Sequence, residues 1–311
     1  YHYAVSKYKS LRPVVTLILA VYLLVLGVLT FQRTQIWKTS LDLWNDVVLK
    51  QPAAVVAWNN RGSIKYRAKD YTGAIDDFDK AIEGNPDYDN AYYNRGTAKK
   101  DLGIARNDNA LLQSAFSDFN KAISLNPDFA QSYVNRGFLK DQKGDQAGAI
   151  LDFDKAIGLN AGDPSPYLNR GVAKGKMGRF KEAIDDFNIL IQKFPGNASA
   201  YSNRGLALDQ MGETKEAIAD FSAAIRLDPG FVAAITSRGI ALQKMKDFPG
   251  AIADFSKVIT IDPRSPEPYY LRGLCYLQTG SKEPACSDFK TAGSAGHEAA
   301  RLLYLKNCGG K

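Results

Sequence analysis

Apolar and small residues return along this chain in paired stripes at helical spacing, separated by turn residues. Tyr201, Gly205 and Leu208 fall at i, i+4 and i+7, one face of a helix. Ala217, Phe221, Ala224 and Ile225 make a second stripe of the same kind. Met211–Gly212–Glu213 between them offers a glycine for a helix C-cap. Asp228–Pro229–Gly230 stops the second helix, because proline cannot continue it. Gly205 and Ala217 are small enough to let the two helices approach closely. The pattern predicts a helical hairpin.

The hairpin recurs. An arginine followed by glycine stands at Arg61, Arg95, Arg136, Arg170, Arg204, Arg238 and Arg272, in steps of 34, 41, 34, 34, 34 and 34. An AxxDF cluster keeps step with it, ending at Phe78, Phe119, Phe153, Phe187, Phe221, Phe255 and Phe289, and Pro86, Pro127, Pro195, Pro229 and Pro263 each follow eight residues later. A hairpin of this kind leaves apolar surface uncovered until the next one stacks on it, so stability is mainly a nearest-neighbour matter. A 34-residue unit with an aromatic, a glycine four residues on, A-x-x-x-F and a closing proline resembles the tetratricopeptide repeat. The resemblance covers residues 40–292 and implies an all-α, right-handed superhelical solenoid. The leucine usual before the glycine is arginine here in every unit.

Seven repeats are expected over residues 54–292. The second unit carries seven extra residues within 104–114, close to two helical turns. They are expected to extend the second helix backwards from an Asp108 or Asn109 cap, with a surface loop as the alternative. Pro52 stands 34 residues before Pro86 and Trp44 falls in the phenylalanine column, so residues 33–53 read as a half-repeat. Residues 293–311 read as a closing helix that covers the last exposed face.

Before the array, residues 14–31 run eighteen positions without a charge, about the length of a helix that crosses a bilayer. Residues 1–32 are therefore expected to be a basic lead (Lys7, Lys9, Arg12) and a transmembrane helix. A cleaved secretion signal is the competing reading, but no A-x-A site follows. Basic residues flank the span evenly, so charge does not assign its sides. The chain opens on Tyr and reads as cut from a longer protein, with the repeats expected on a periplasmic or lumenal face.

Composition changes this picture little. The net charge is +7 over 311 residues, but seven of the forty basic residues are the arginine column, and no Lys/Arg block of five occurs. Nucleic acid is not expected as a partner. His2 and His297 lack ligand spacing with Cys275, Cys286 and Cys308, so neither metal nor cofactor is expected. The cysteines read as three free buried thiols; in an oxidising compartment one pair would instead bridge and pin the closing helix. No phosphate loop and no triad arrangement appears, so the chain reads as non-enzymatic, with no small-molecule substrate.

Two polar columns carry the candidate chemistry. Asp77, Asp118, Asp152, Asp186, Asp220, Asp254 and Asp288 each precede the column phenylalanine. An arginine with a buried stem needs a carboxylate for its fork, so Arg–Asp pairs are expected to lock helices together, within a repeat or between neighbours. Asn60, Asn94, Asn135, Asn169 and Asn203 each precede an arginine, although asparagine is a mediocre helix residue. In the repeat family this position faces the concave groove. The column is similar to the asparagine ladder of the peptide-binding superhelix of O-linked N-acetylglucosamine transferase. An amide offers one donor and one acceptor face, the match of a peptide unit. Tyr93, Val134, Leu168, Phe138, Val172, Leu206 and Ile240 flank it as an apolar border for an extended peptide. The competing reading is a solvated face, or asparagines that hold the solenoid itself. The carboxylate clamp of chaperone-tail-binding repeats does not fit, because Ser63, Thr97, Phe138 and Val172 stand two residues after the arginines.

The order of membrane helix, Trp37–Leu43–Trp44 half-repeat and repeats is similar to the carboxyl-terminal part of the transmembrane-and-tetratricopeptide-repeat O-mannosyltransferase family. That resemblance implies repeats that recruit an acceptor polypeptide for a glycosyltransferase. The family's catalytic acidic residues have no counterpart here. A membrane-tethered, polypeptide-binding scaffold is the first expectation, the acceptor-recruiting tail the second, and a secreted repeat protein the third.

Overall fold

The computed structural model describes residues 2–309, with side chains outside 2–12 and 33–36. The basic lead Lys7, Lys9 and Arg12 lies outside the described side chains. Among the described residues there are seventeen helices and no strand. Helix α1 is His2–Ile36 and α2 is Ser40–Lys50. Seven hairpins follow, repeats 1 to 7: α3 Val55–Arg67 with α4 Tyr71–Gly84, α5 Asp89–Arg106 with α6 Asn109–Leu125, α7 Ala130–Gln142 with α8 Gln146–Leu159, α9 Ser165–Lys176 with α10 Phe180–Lys193, α11 Ala198–Gln210 with α12 Thr214–Leu227, α13 Val232–Lys244 with α14 Phe248–Ile261, and α15 Pro266–Gln278 with α16 Lys282–Ser294. Helix α17, Glu298–Asn307, closes the series. The all-α repeat architecture read from the pattern is the one observed.

Cα packing divides the chain into two compact units, residues 1–132 and 133–311. In the first, α2 packs on α3, α3 on α4, α4 on α5, and α5 on α6. In the second, each helix from α8 to α17 packs on the next, and the first helices α9, α11, α13 and α15 also touch in succession.

One contact explains the invariant spacing of glycine and phenylalanine. In every repeat the phenylalanine ring of the second helix lies against the glycine after the arginine. A Cβ on Gly62, Gly96, Gly137, Gly171, Gly205, Gly239 or Gly273 would come within 2.6–2.9 Å of that ring. The seven rings are almost fully buried, each stabilising its hairpin by about 1.5–3 kcal/mol. Caps fix the helix starts: the side chains of Asp70, Asp108, Asp145, Asn197 and Asp247 accept backbone N–H groups of the first turn.

The seven-residue insertion is shared between both helices of repeat 2. Helix α6 starts from an Asp108 cap and runs 17 residues, against 14 for α4, while α5 runs 18 against 13 for α3. The backward extension of the second helix from Asp108 is the one expected, and the lengthening of the first helix is additional to it. Asn107 in the left-handed region (φ 53°) turns the chain between them.

Within α1, Pro13–Gln32 has a mean hydropathy of 2.8 and none of it is buried. By length and composition it is a candidate membrane span.

Candidate functional site

The arginine column stitches three helices in one fork. Nε and Nη2 of each arginine donate to the two oxygens of the aspartate sixteen residues on (twenty-three in repeat 2), at 2.7–3.0 and 2.5–2.8 Å: Arg61–Asp77, Arg95–Asp118, Arg136–Asp152, Arg170–Asp186, Arg204–Asp220, Arg238–Asp254 and Arg272–Asp288. The carboxylates are buried, 6% exposed or less. The carboxylate partner thus lies in the arginine's own repeat. Nη1 reaches back to the residue after the preceding aromatic: Arg61 to Asn45, Arg95 to Asp79, Arg170 to Asp154, Arg204 to Asn188, Arg238 to Ser222 and Arg272 to Ser256. Except in repeat 6, an aromatic ring three residues before the arginine lies under the guanidinium: Trp58, Tyr92, Tyr133, Tyr167, Tyr201 or Tyr269. Burial works against the charge of Arg95 and Arg170, but the bonds to their aspartates outweigh it and raise the pKa. In Arg204, Arg238 and Arg272 the aspartate bond is the largest influence and also raises it. These groups are permanently charged struts and suit neither proton transfer nor ligand exchange.

A further column went unread in the sequence. Lys65, Lys99, Lys140 and Lys174, four residues after the arginine, give the same aspartates a second cation at 2.8–2.9 Å. Its signal is R-G-x-x-K at the repeat spacing, and it ends at Leu208.

The asparagines sit on successive first helices, Asn60 on α3, Asn94 on α5, Asn135 on α7, Asn169 on α9 and Asn203 on α11, all partly exposed. Asn94 Nδ2 donates to Oδ1 of the buried Asn59 on α3 (2.9 Å), and Asn203 Nδ2 donates to the Ser199 carbonyl (2.8 Å). Asn60 and Asn169 make no hydrogen bond among the described residues. Part of the column therefore holds the solenoid, and part of its amide capacity stays open. Asn59 gave no column signal and was missed.

The apolar border divides in two. Tyr93 packs its ring on Phe119 and Phe129, with centroids 6.2 and 4.7 Å apart, and Leu168 joins the cluster of Tyr167, Leu190 and Ala200. Both are partly buried, with part of each side chain packed against the core. Val172 and Phe138 are partly buried, while Leu206 and Ile240 are exposed. Adjacent first helices are also bridged beyond the ladder: Tyr66 donates to Asp101, Lys176 to Asp141 and Lys244 to Asp209. Burial first, then the Asp101 carboxylate, pushes the Tyr66 phenol well above its usual range.

At the end of the array, Cys286 on α16 is bridged to Cys308 after α17, with the Cα atoms 5.7 Å apart. This corrects the reading of three free thiols. Cys275 alone is free and buried, and desolvation pushes its thiol to about 11. His297 caps α17 through Nδ1, meets Glu267 through Nε2 (2.9 Å) and stacks on Tyr270 (4.2 Å).

Comparison with known proteins gives the same architecture. Models described as tetratricopeptide repeat match residues 168–230 and 130–163, and one described as TPR repeat matches 52–103 and 244–280. Protein FlbA of Caulobacter vibrioides is 40% identical over 52 residues, 17% of this chain and 9% of that protein's length. A tetratricopeptide repeat protein from Parabacteroides merdae superposes with a TM-score of 0.61 at 21% identity, over 80% of this chain and 97% of the other. YrrB, titled as a TPR protein with an unusual peptide-binding site, gives 0.50 at 23% identity, over 60% and 97%. The Cut9–Hcn1 assembly gives 0.64 at 15% identity, over 86% and 52%. With glycine–phenylalanine hairpins in seven successive copies and these matches along their length, the chain is a tetratricopeptide-repeat protein.

Proposed function

We propose that the chain is a membrane-tethered scaffold whose first helices grip extended polypeptide segments. The observation that carries this reading is the asparagine column. Asn169 on α9 leaves its amide without a hydrogen bond among the described residues, and the first helices that follow it in the same unit carry the exposed Leu206 and Ile240. Paired donors and acceptors next to apolar surface recognise a main chain by its amides and a side chain by its shape. YrrB, of the same fold, is named for peptide binding. Helix α1 would supply the anchor. A disulfide at the far end favours a periplasmic or lumenal face for the repeats.

The test is Asn135→Ala/Asn169→Ala. Loss of two net hydrogen bonds, about 1 kcal/mol each, should weaken peptide binding by roughly ten- to a hundredfold, while Asn169→Ala alone should leave the Tm almost unchanged. Unchanged affinity for a bound peptide removes the ladder from the proposal. Thiol alkylation of sealed membrane vesicles after reduction reports the side on which Cys286 and Cys308 lie.

A second reading, recruitment of an acceptor for a glycosyltransferase, draws on the short junction between anchor and array. Helix α1 ends at Ile36 and α2 starts at Ser40 under a Thr39–Asp42 capping box, with Trp37 Nε1 on Asp46 (3.3 Å). Such a junction would hold bound polypeptide near the membrane. Glycosyl transfer to a groove-bound peptide, lost in the asparagine double variant, is the result this second reading requires.

A further inference from the structure

The first helices of repeats 4 and 5 enclose a small apolar notch of about 160 Å³ with α10. It is lined by Gly171, Val172 and Gly175 of α9, Phe180 and Phe187 of α10, and Asn203, Leu206, Ala207 and Gln210 of α11. One residue opens it. Five positions after the arginine the repeats carry Tyr66, Lys100, Asp141, Gly175, Asp209, Gln243 and Leu277, so only repeat 4 has no side chain there. A Cβ on Gly175 would meet nothing within 4 Å, unlike the glycines that receive the phenylalanine rings.

We infer that this notch is the side-chain anchor of the groove, taking one apolar residue of Leu, Ile, Met or Phe size from an extended polypeptide. The inference rests on the polypeptide-binding reading above. The chemistry selects the occupant. The lining holds no ionised group, which disfavours phosphate, carboxylate or an ammonium group. Its walls are aromatic and aliphatic, and an apolar cavity of about 150 Å³ in another protein accepts benzene. The polar groups at its edge are the amides of Asn203 and Gln210. Asn203 spends one N–H on Ser199 and keeps its Oδ1 for an incoming N–H. An apolar hole beside an amide acceptor matches a residue that presents a hydrocarbon side chain and a main-chain amide together. A hydrocarbon lacks the amide, and a free sugar lacks the apolar bulk. Buried apolar anchors in such pockets carry a disproportionate share of binding energy.

The experiment pans a phage-displayed library of random dodecapeptides on the full chain in lipid nanodiscs, then measures the best peptide by anisotropy. Selected peptides should share one fixed apolar residue, whose replacement by alanine weakens binding at least tenfold. Gly175→Leu, or Val172→Phe on the same wall, should weaken the parent peptide at least tenfold and reduce the effect of the peptide's alanine change to under twofold. Gly175→Ala serves as the folding control: it should raise the Tm and keep affinity within threefold. An apolar residue equally important against both filled variants overturns the notch and leaves the groove standing. Peptides sensitive to the filled variants but indifferent to Asn135→Ala/Asn169→Ala keep the notch and remove the ladder. Enrichment of no peptide overturns both.

Discussion

Repeats 1–4 and repeats 5–7 neutralise the same buried aspartate with different chemistry. In the first group Arg and Lys converge on it: Arg61 and Lys65, Arg95 and Lys99, Arg136 and Lys140, Arg170 and Lys174. In the second the lysine position is Leu208, Leu242 or Tyr276, and these side chains join the apolar clusters around Phe221, Phe255 and Phe289. The third contact of the arginine follows this division only in part, since repeat 1, with Lys65 present, brings in the neutral Asn45. Repeats 2 and 4 bring in Asp79 and Asp154 from the preceding helix, so two cations meet two carboxylates. Repeats 5–7 bring in Asn188, Ser222 and Ser256, so one cation meets one carboxylate. The lesson is that the bidentate arginine is the obligatory element, and the position four residues on serves either an ion pair or the core.

Removing the arginine should therefore have the largest effect, and in both groups. Arg170→Leu or Arg204→Leu leaves a buried carboxylate without its fork, at a cost of about 3–5 kcal/mol in urea denaturation. Arg170→Leu/Asp186→Leu should recover much of the loss, whereas Arg170→Leu/Asp152→Leu should lose more, because Asp152 belongs to Arg136. A loss for Arg170→Leu well below that of Arg204→Leu would mean that Lys174 substitutes for the fork.

The far end of the second group adds a covalent device. Breaking the Cys286–Cys308 bridge, which joins positions 22 residues apart, with Cys286→Ser/Cys308→Ser should cost about 3 kcal/mol. The loss should concentrate in amide exchange of α16 and α17, since repeats contact mainly their neighbours. Exchange that accelerates evenly from α3 to α17 would contradict this nearest-neighbour picture.

The lysines separate the groups directly. Lys174→Met keeps the stem and removes the second cation from a pair only partly open to solvent, so about 1 kcal/mol is expected. The reverse change, Leu208→Lys, should cost more, because the leucine packs in the cluster of Ala217, Phe221 and Ala241. A neutral Leu208→Lys would show that the two nodes are interchangeable.

Much of this was legible beforehand, and the failures have physical causes. The repeat, the half-repeat around Trp44 and the paired columns follow from a period that survives seven copies. The arginine's choice of its own repeat does not, since at a 34-residue period Arg170 stands 16 residues from Asp186 and 18 from Asp152. The lysine column stops after four copies and so failed to register as one. Three cysteines allow three pairings, and only the return of α17 onto α16 selects one.

The smallest expected effect tests whether the ionic node and the turn within each hairpin are independent. Outside repeat 2, the second residue after the first helix is left-handed: Gly144, Gly178, Gly212 and Gly280 in four repeats, but Lys69 and Lys246, each at φ 63°, in repeats 1 and 6. A side chain in that region costs about 1–2 kcal/mol, part of which glycine returns as unfolded-chain entropy, so Lys69→Gly and Lys246→Gly should each stabilise by roughly 0.5–1 kcal/mol. Both lysines are exposed, so no contact confounds the change. Repeat 1 carries the doubled cation and repeat 6 the single one. Equal gains would mean that each hairpin closes its turn without regard to how its aspartate is neutralised. A gain confined to Lys246→Gly would mean that the Arg61–Lys65–Asp77 node already constrains the end of α3, from which the Lys69 turn departs, and that the difference between the two groups extends beyond the buried carboxylate.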